Sequence, residues 1–224
     1  MDDYQKTKAY WDDVFAKMSS SLRDVDSTGY AAIDEGLDWI GCKDGRFLDF
    51  GCGSGMMLLR LAKQFNAECV AVDLSGEALK TAEALFALSE RCATTRKGSV
   101  EILGEMPEQS FDGVILSNIL DNLSLEVASR TLEAIARILK ADGRVFVKVN
   151  AYLERPALEE GLEHVEGPLY QESSGLYLLN LDDDAWRSLF SPLFYCVHEH
   201  RVHLGAEGSH VNRIYLLKKK EGRA

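Results

Sequence analysis

RFLDFGCGSG (Arg46–Gly55), followed by MMLLRLAKQF (Met56–Phe65) and CVAVDL (Cys69–Leu74), is the stretch that decides the fold. A short apolar run, a glycine-rich bend, ten residues of helical spacing and a second apolar run read as strand, turn, helix, strand. The same alternation continues outward. Ser75 is placed to cap a helix whose buried stripe is Ala78, Leu79, Ala82, Leu85 and Phe86. Ser99–Leu103 is expected as a third strand and Phe111–Asn118 as a fourth. Ser124–Leu139 is expected as a helix with Leu132, Ile135, Ala136 and Leu139 on one face, then Ala141-Asp142-Gly143 as a turn and Arg144–Asn150 as a fifth strand. After a helix around Asp183–Phe190, Phe194–Leu204 and Asn212–Lys219 are joined by the glycine-bearing GAEGSH and read as an antiparallel hairpin. The expected fold class is therefore α/β, with a mostly parallel seven-stranded sheet, one antiparallel strand, and helices on both faces.

The organisation follows from the same pass. Residues 1–40 form an N-terminal helical cap, 41–150 the ligand-binding core, and 151–224 a connection followed by the hairpin. All belong to one domain, since 224 residues would leave two cores undersized. The connection Ala151–Asp182 shows little periodicity and contains Gly161, Gly167, Pro168 and Gly175. A long connection in such a domain is commonly functional.

Composition excludes several function classes. Hydrophobic residues make 46% and charged residues 27% of the chain, as in ordinary globular proteins. The net charge of −11 opposes nucleic-acid binding, which depends on Lys and Arg displacing phosphate counterions. Lys218–Lys220 is the one tight basic cluster, read as a solvated end. Five cysteines (Cys42, Cys52, Cys69, Cys92, Cys196) without a C-x-x-C pair imply a reducing compartment. MDDYQKTKAYWDD lacks the apolar core of a signal peptide, and no apolar run reaches the roughly 18 residues of a membrane span. The expectation is a cytoplasmic monomer or homodimer acting on a small molecule, with no nucleic-acid or membrane partner.

Three ligands compete for the glycine loop. A dinucleotide fingerprint needs glycine at position 56, where this chain has Met56, and a phosphate loop needs G-K-[ST], which is absent. The pattern present is D-x-G-x-G-x-G from Asp49 to Gly55. A carboxylate two residues before the first glycine repels a pyrophosphate and attracts an ammonium group. Asp73, eighteen residues past Gly55 at the end of the second strand, can accept hydrogen bonds from both ribose hydroxyls of a nucleoside. A nucleoside with an amino-acid tail satisfies both acids.

FLDFGCGSG, VAVDLS, FDGVILSNILDNL and LKADGRVFVKV, in this order and spacing, resemble the successive motifs of class I S-adenosylmethionine (SAM)-dependent methyltransferases, a Rossmann-like family. The motifs cover about Tyr10–Asn150. The resemblance implies SAM as cofactor. It places Asp49 at the methionine amino group; Gly51, Cys52, Gly53 and Gly55 in the bend beneath methionine and ribose; and Asp73 on the ribose hydroxyls. Leu74 would pack on adenine, Ser117 and Asn118 would lie beside the methyl group, and Tyr10 and Trp11 in a covering helix. The adenine amino group would be met near Leu103, Gly104 and Glu105, where the family's usual polar residue is missing. The Asn-Pro-Pro-aromatic motif of base and glutamine methylases is replaced by Ser117-Asn118-Ile119-Leu120, which leaves a small-molecule O, N or S acceptor. A silent SAM-binding partner subunit and an NAD-type oxidoreductase are the alternatives.

No fixed catalytic residue follows from these motifs. Asp121, just past the fourth strand, is a candidate base and equally a cap for the helix at Ser124; His200 is the other candidate. His198 and His200 share one strand face while His203 points away, so with no third ligand fixed by spacing no metal is expected. Tyr152, Tyr170 and Tyr177 in the connection are candidate substrate contacts. Cys52 reads as a small residue tolerated in a tight loop rather than a nucleophile.

Overall fold

The computed structural model describes residues 5–18, 23–24, 26–204 and 210–221. Two helices, α1 (Gln5–Met18) and α2 (Ala31–Ile40), precede β1 (Arg46–Phe50). Then follow α3 (Met56–Phe65), β2 (Glu68–Asp73), α4 (Gly76–Leu88), β3 (Thr94–Lys97), β4 (Phe111–Ser117), α5 (Leu125–Ile138) and β5 (Leu139–Val149). Serines cap α4 and α5, Ser75 as expected. Ser75 Oγ accepts from Ala78 N at 3.1 Å and Ser124 Oγ from Val127 N at 3.3 Å.

The main sheet has seven strands in the order β3-β2-β1-β4-β5-β10-β9, where β9 is Phe194–Leu204 and β10 is His210–Lys219. Only β10 is reversed, pairing antiparallel with both β5 and β9. Residues 205–209, most of the GAEGSH connection, lie outside the described residues.

Strand alternation divides the core between the two faces. Phe47, Ala71, Ile115, Phe146 and Leu216 pack with α2, α3 and α4. Leu48, Val70, Val114, Val147 and Leu217 pack with α5 and with Trp186 and Phe190 of α7 (Asp183–Phe190). The chain leaves β1 toward β2 on one side and later returns to β4 on the other. A crevice therefore opens at the C-terminal ends of β1 and β4, where open α/β sheets bind their ligands.

Three local expectations are corrected. The third strand is Thr94–Lys97, and Ser99–Leu103 instead leads into a 3₁₀ turn over Val100–Glu105. The true strand is an edge, paired with β2 alone, so its TTRK sequence carries no apolar signal. The apolar Ile102 and Leu103 are buried because the turn packs beneath α5. Ala141-Asp142-Gly143 lies inside β5 as an irregularity, since register jumps from Phe111↔Leu139 to Gly113↔Arg144. The 151–182 connection is structured, with α6 (Arg155–Glu159) and a three-stranded sheet of β6 (Leu162–Glu166), β7 (Leu169–Glu172) and β8 (Tyr177–Leu179). β6 is almost wholly exposed, so no buried stripe marked it in the sequence.

Candidate functional site

A cavity of about 670 Å³ occupies the crevice. Its floor is the glycine loop. Gly51 has φ of 78°, and a Cβ there would sit 1.9 Å from Ile119 Cδ1, so both the bend and the approach of the β4 end require glycine. Gly55, with φ of 76°, starts α3 and packs on Ala82 below the cavity rather than lining it. Cys52 lines the cavity as a buried thiol whose pKa is held well up by burial and the nearby carboxylates, so it is protonated and a poor nucleophile.

Two acids flank this floor. Asp49 is 2% exposed, and its Oδ1 is buried without a hydrogen-bond partner among the described residues. Burial, with a contribution from the charge of Asp73, pushes its carboxyl up to about 8. Asp73 is pinned by two backbone donors, Gly53 N to Oδ2 at 2.9 Å and Ser75 N to Oδ1 at 2.8 Å. Burial raises its pKa while those N–H groups oppose the shift. Leu74 lies beside it on the cavity wall.

The wall beyond Asp73 comes from the β3 end. Gly98 N donates to Asp73 O at 3.1 Å, and Gly98, Ser99, Val100 and Glu101 line the cavity. Leu103, Gly104 and Glu105 do not line it. Leu103 is buried in the core, its carbonyl accepting from Arg137 Nη2 at 2.6 Å, and Glu105 is exposed and paired with Arg96. The three lie at or just past the end of the Ser99–Leu103 stretch expected as β3, whereas β3 ends at Lys97.

At the opposite end, Ser117, Asn118, Ile119 and Lys148 close the cavity. Asn118 has φ of 55°; its N–H donates to Lys148 O at 2.7 Å and its Nδ2 to Asn150 Oδ1 at 2.6 Å. Lys148 Nζ donates to Asn118 Oδ1. Burial lowers the pKa of this ammonium and Asp121 pushes it back up. Neither Lys148 nor Asn150 was singled out from the sequence, although a lysine within the apolar run RVFVKVN is the signal.

The roof is α1 with the turn before α2. Trp11, Phe15, Thr7, Thr28, Tyr30 and Ile33 line it, with Trp11 and Phe15 stacked at 5.7 Å. Tyr10 is 37% exposed and faces away, touching Trp11 edge-on at 5.1 Å. Hydrogen bonds tie α1 to its neighbours: Thr7 Oγ1 donates to Gly175 O at 3.1 Å and Ser75 Oγ to Asp12 Oδ1 at 2.5 Å.

The remaining candidates lie elsewhere. Asp121 is buried beside the cavity without lining it, and its Oδ2 accepts from Asn150 N at 2.8 Å; it clamps the β4 and β5 ends, and Ser124 caps α5 instead. His200 sits on β9 at the sheet edge, three strands from β4, with His198 at 6.4 Å. Among the described residues no group of three or more His, Cys, Asp or Glu could hold a metal. Tyr152 is exposed, Tyr170 packs edge-on to His164, and Tyr177 packs against the core; none lines the cavity. What the connection brings to the site is Gly175, through α1.

A family model described as a methyltransferase domain matches residues 48–147, from β1 through β5. Over those residues the chain is similar to a methyltransferase domain. A ubiquinone biosynthesis O-methyltransferase of Xanthomonas oryzae pv. oryzae is 30% identical over 142 residues, 60% of this chain and 58% of that one. The chain thus spans less than two thirds of the length of such curated relatives. The 1,6-didemethyltoxoflavin-N1-methyltransferase of Burkholderia thailandensis, solved with 1,6-didemethyltoxoflavin and S-adenosylhomocysteine (SAH) bound, matches with a TM-score of 0.65 at 19% identity, over 94% of this chain and 88% of that one. The [4+2]-cyclase SpnF matches with a TM-score of 0.70 at 16% identity, over 96% of each chain. At these identities the likeness is one of fold. The matched residues supply the glycine floor, both acids and the β4 end; Lys148 follows them directly, and the roof comes from residues before them.

Proposed function

We propose that the chain is a SAM-dependent methyltransferase that alkylates an O, N or S atom of a small molecule. The carrying observation is the partnerless Oδ1 of Asp49, a buried carboxylate oxygen beside a glycine floor. A buried acceptor without a donor is costly, and an α-ammonium group supplies the donor. On this reading Asp73, already oriented by two N–H groups, takes the ribose hydroxyls with its remaining lone pairs. Leu74 and Val100 flank the adenine, in place of Leu103–Glu105. The cofactor supplies an electrophilic methyl group on sulfur, and the chain's contribution is alignment, proximity and exclusion of water. Ser117, Asn118 and Ile119 border the transfer end, and Trp11 and Tyr30 cover it.

The free cysteines fit a cytoplasmic setting, and no described helix is long and apolar enough to cross a membrane. Calorimetry with SAM and SAH tests the core of this reading; absence of binding by either at millimolar ligand refutes it. A methyl-acceptor screen with labelled cofactor distinguishes turnover from a silent subunit. That distinction matters because a [4+2]-cyclase shares the fold.

A further inference from the structure

The methyltransferase reading leaves the acceptor unnamed, and the β4–β5 end of the cavity narrows it. Along β5, Phe146 and Lys148 point to the same sheet face, and Phe146 is buried in the core. Lys148 therefore stands where the pattern calls for an apolar side chain, 8% exposed and lining the cavity. Its one hydrogen bond among the described residues goes to Asn118 Oδ1, which leaves two of the three ammonium donors unused. It makes no ion pair among those residues. Asp121 is the acid nearest in influence, but its Oδ2 is engaged by Asn150 N. The neighbouring cation Arg213 is compensated separately, by Asp183, Leu181 O and Asn150 O.

Other charged side chains lining the cavity lie elsewhere. Asp49 and Asp73 belong to the glycine floor, and Glu101 and Arg130 offset one another at the β3 and α5 side. The neutral residues that share this cavity with Lys148 include Thr7, Trp11, Tyr30, Ile33 and Ile119. A buried cation with spare donors among neutral walls is complementary to an anion. An amine acceptor would arrive as a second cation.

We propose that the methyl acceptor is an organic acid whose oxyanion docks on the Lys148 ammonium while its apolar body lies against Trp11 and Tyr30. The oxyanion is a carboxylate or an ionised acidic hydroxyl. This deepens the methyltransferase reading and rests on it.

The test is titration calorimetry on the SAH-loaded full chain with benzoate and 4-nitrophenolate, each against a neutral isostere, benzamide and nitrobenzene. The expected result is that at least one oxyanion binds about tenfold or more tighter than its isostere, as a charge-assisted hydrogen bond predicts. Which arm responds identifies carboxylate or phenolate. Lys148→Gln should abolish that preference and leave SAH affinity unchanged. Lys148→Met repeats the measurement should the Gln variant not fold, and the wild-type ranking stands without either. No preference in the wild type, or a preference that survives loss of the lysine, overturns the proposal. A loss of SAH affinity in the Lys148 variants also overturns it, assigning the ammonium to the cofactor's own carboxylate. Failure of wild type to bind SAH at all sinks the underlying cofactor reading instead.

Discussion

At the residue scale the site rests on two carboxylates in different electrostatic states. Asp73 is held by backbone donors and is oriented before any ligand arrives. Replacing it with alanine should weaken SAH binding by roughly 1.5–3 kcal/mol, the range for hydrogen bonds to a charged group, as calorimetry would show. Unchanged affinity would move the nucleoside away from β2. Asp49 behaves differently, because its carboxyl is raised to about 8 by burial and by Asp73. In the free protein at neutral pH it is therefore largely protonated, and pairing with an ammonium requires it to ionise. SAH affinity should rise about tenfold per pH unit below about 8 and flatten above, with one proton released on binding. Binding heats in buffers of different ionisation enthalpy measure that proton, and Asp49→Asn should remove it. Stability carries the opposite slope. The folded pKa lies above the unfolded one, so the apo protein loses stability as pH rises from about 4 through about 8, and Asp49→Asn should lessen that loss. A melting temperature with the same pH slope in both proteins would contradict the raised pKa.

At the element scale, α1 decides whether the cavity has a roof. Its anchors include Thr7, bonded to Gly175, and Asp12, whose carboxyl is held down to about 2 by its bond to Lys8 and by Ser75. Asp12→Ala removes the contacts of this carboxylate with Lys8, Ser75 and the Glu77 backbone and leaves Ser75 free to cap α4 alone. Because Asp12 is partly exposed, the expected loss is only about 1 kcal/mol, roughly a fivefold rise in the SAH dissociation constant. The same variant should be cleaved faster within α1 by limited proteolysis, with SAH restoring protection. Equal cleavage with and without SAH would detach α1 from the site. Elements of this kind also mark where the sequence was legible. β1, α3 and β2 were readable because buried strands and an amphipathic helix write strong periodic patterns, and Asp49, Asp73 and the glycines sit at their junctions. β3 was not, because an edge strand reading TTRK buries little, and its displacement put the expected adenine wall at Leu103–Glu105, which does not line the cavity. Lys148 went unremarked because its strand was already accounted for by its valines. The Thr7–Gly175 link spans 168 residues, a contact no local pattern encodes.

At the scale of the whole molecule, the sheet is a single layer shared by both apolar clusters, so neither face can melt without exposing the other. β10 binds the C-terminal segment to β5, and Tyr215 on it donates to Asp183 Oδ1 at 2.7 Å beneath α7. The described chain should therefore unfold as one cooperative unit, with calorimetric and van 't Hoff enthalpies in agreement. The cavity is walled by α1, the turn before α2, the β1–β4 strand ends and α5, so a ligand bound there stabilises that entire unit. At a free SAH concentration of about 100 times its dissociation constant the gain is about 2.7 kcal/mol. For a chain of this size that corresponds to a rise in melting temperature of about 5–10 °C. Scanning calorimetry with increasing SAH should show one transition moving upward, and Asp73→Ala should move less at the same ligand concentration. A second transition that ignores SAH would mean that residues 151–221 fold apart from residues 48–147. In that case Gly175 could not anchor α1 cooperatively, and the roof would have to be held through its contacts with α4, Asp12 to Ser75 among them.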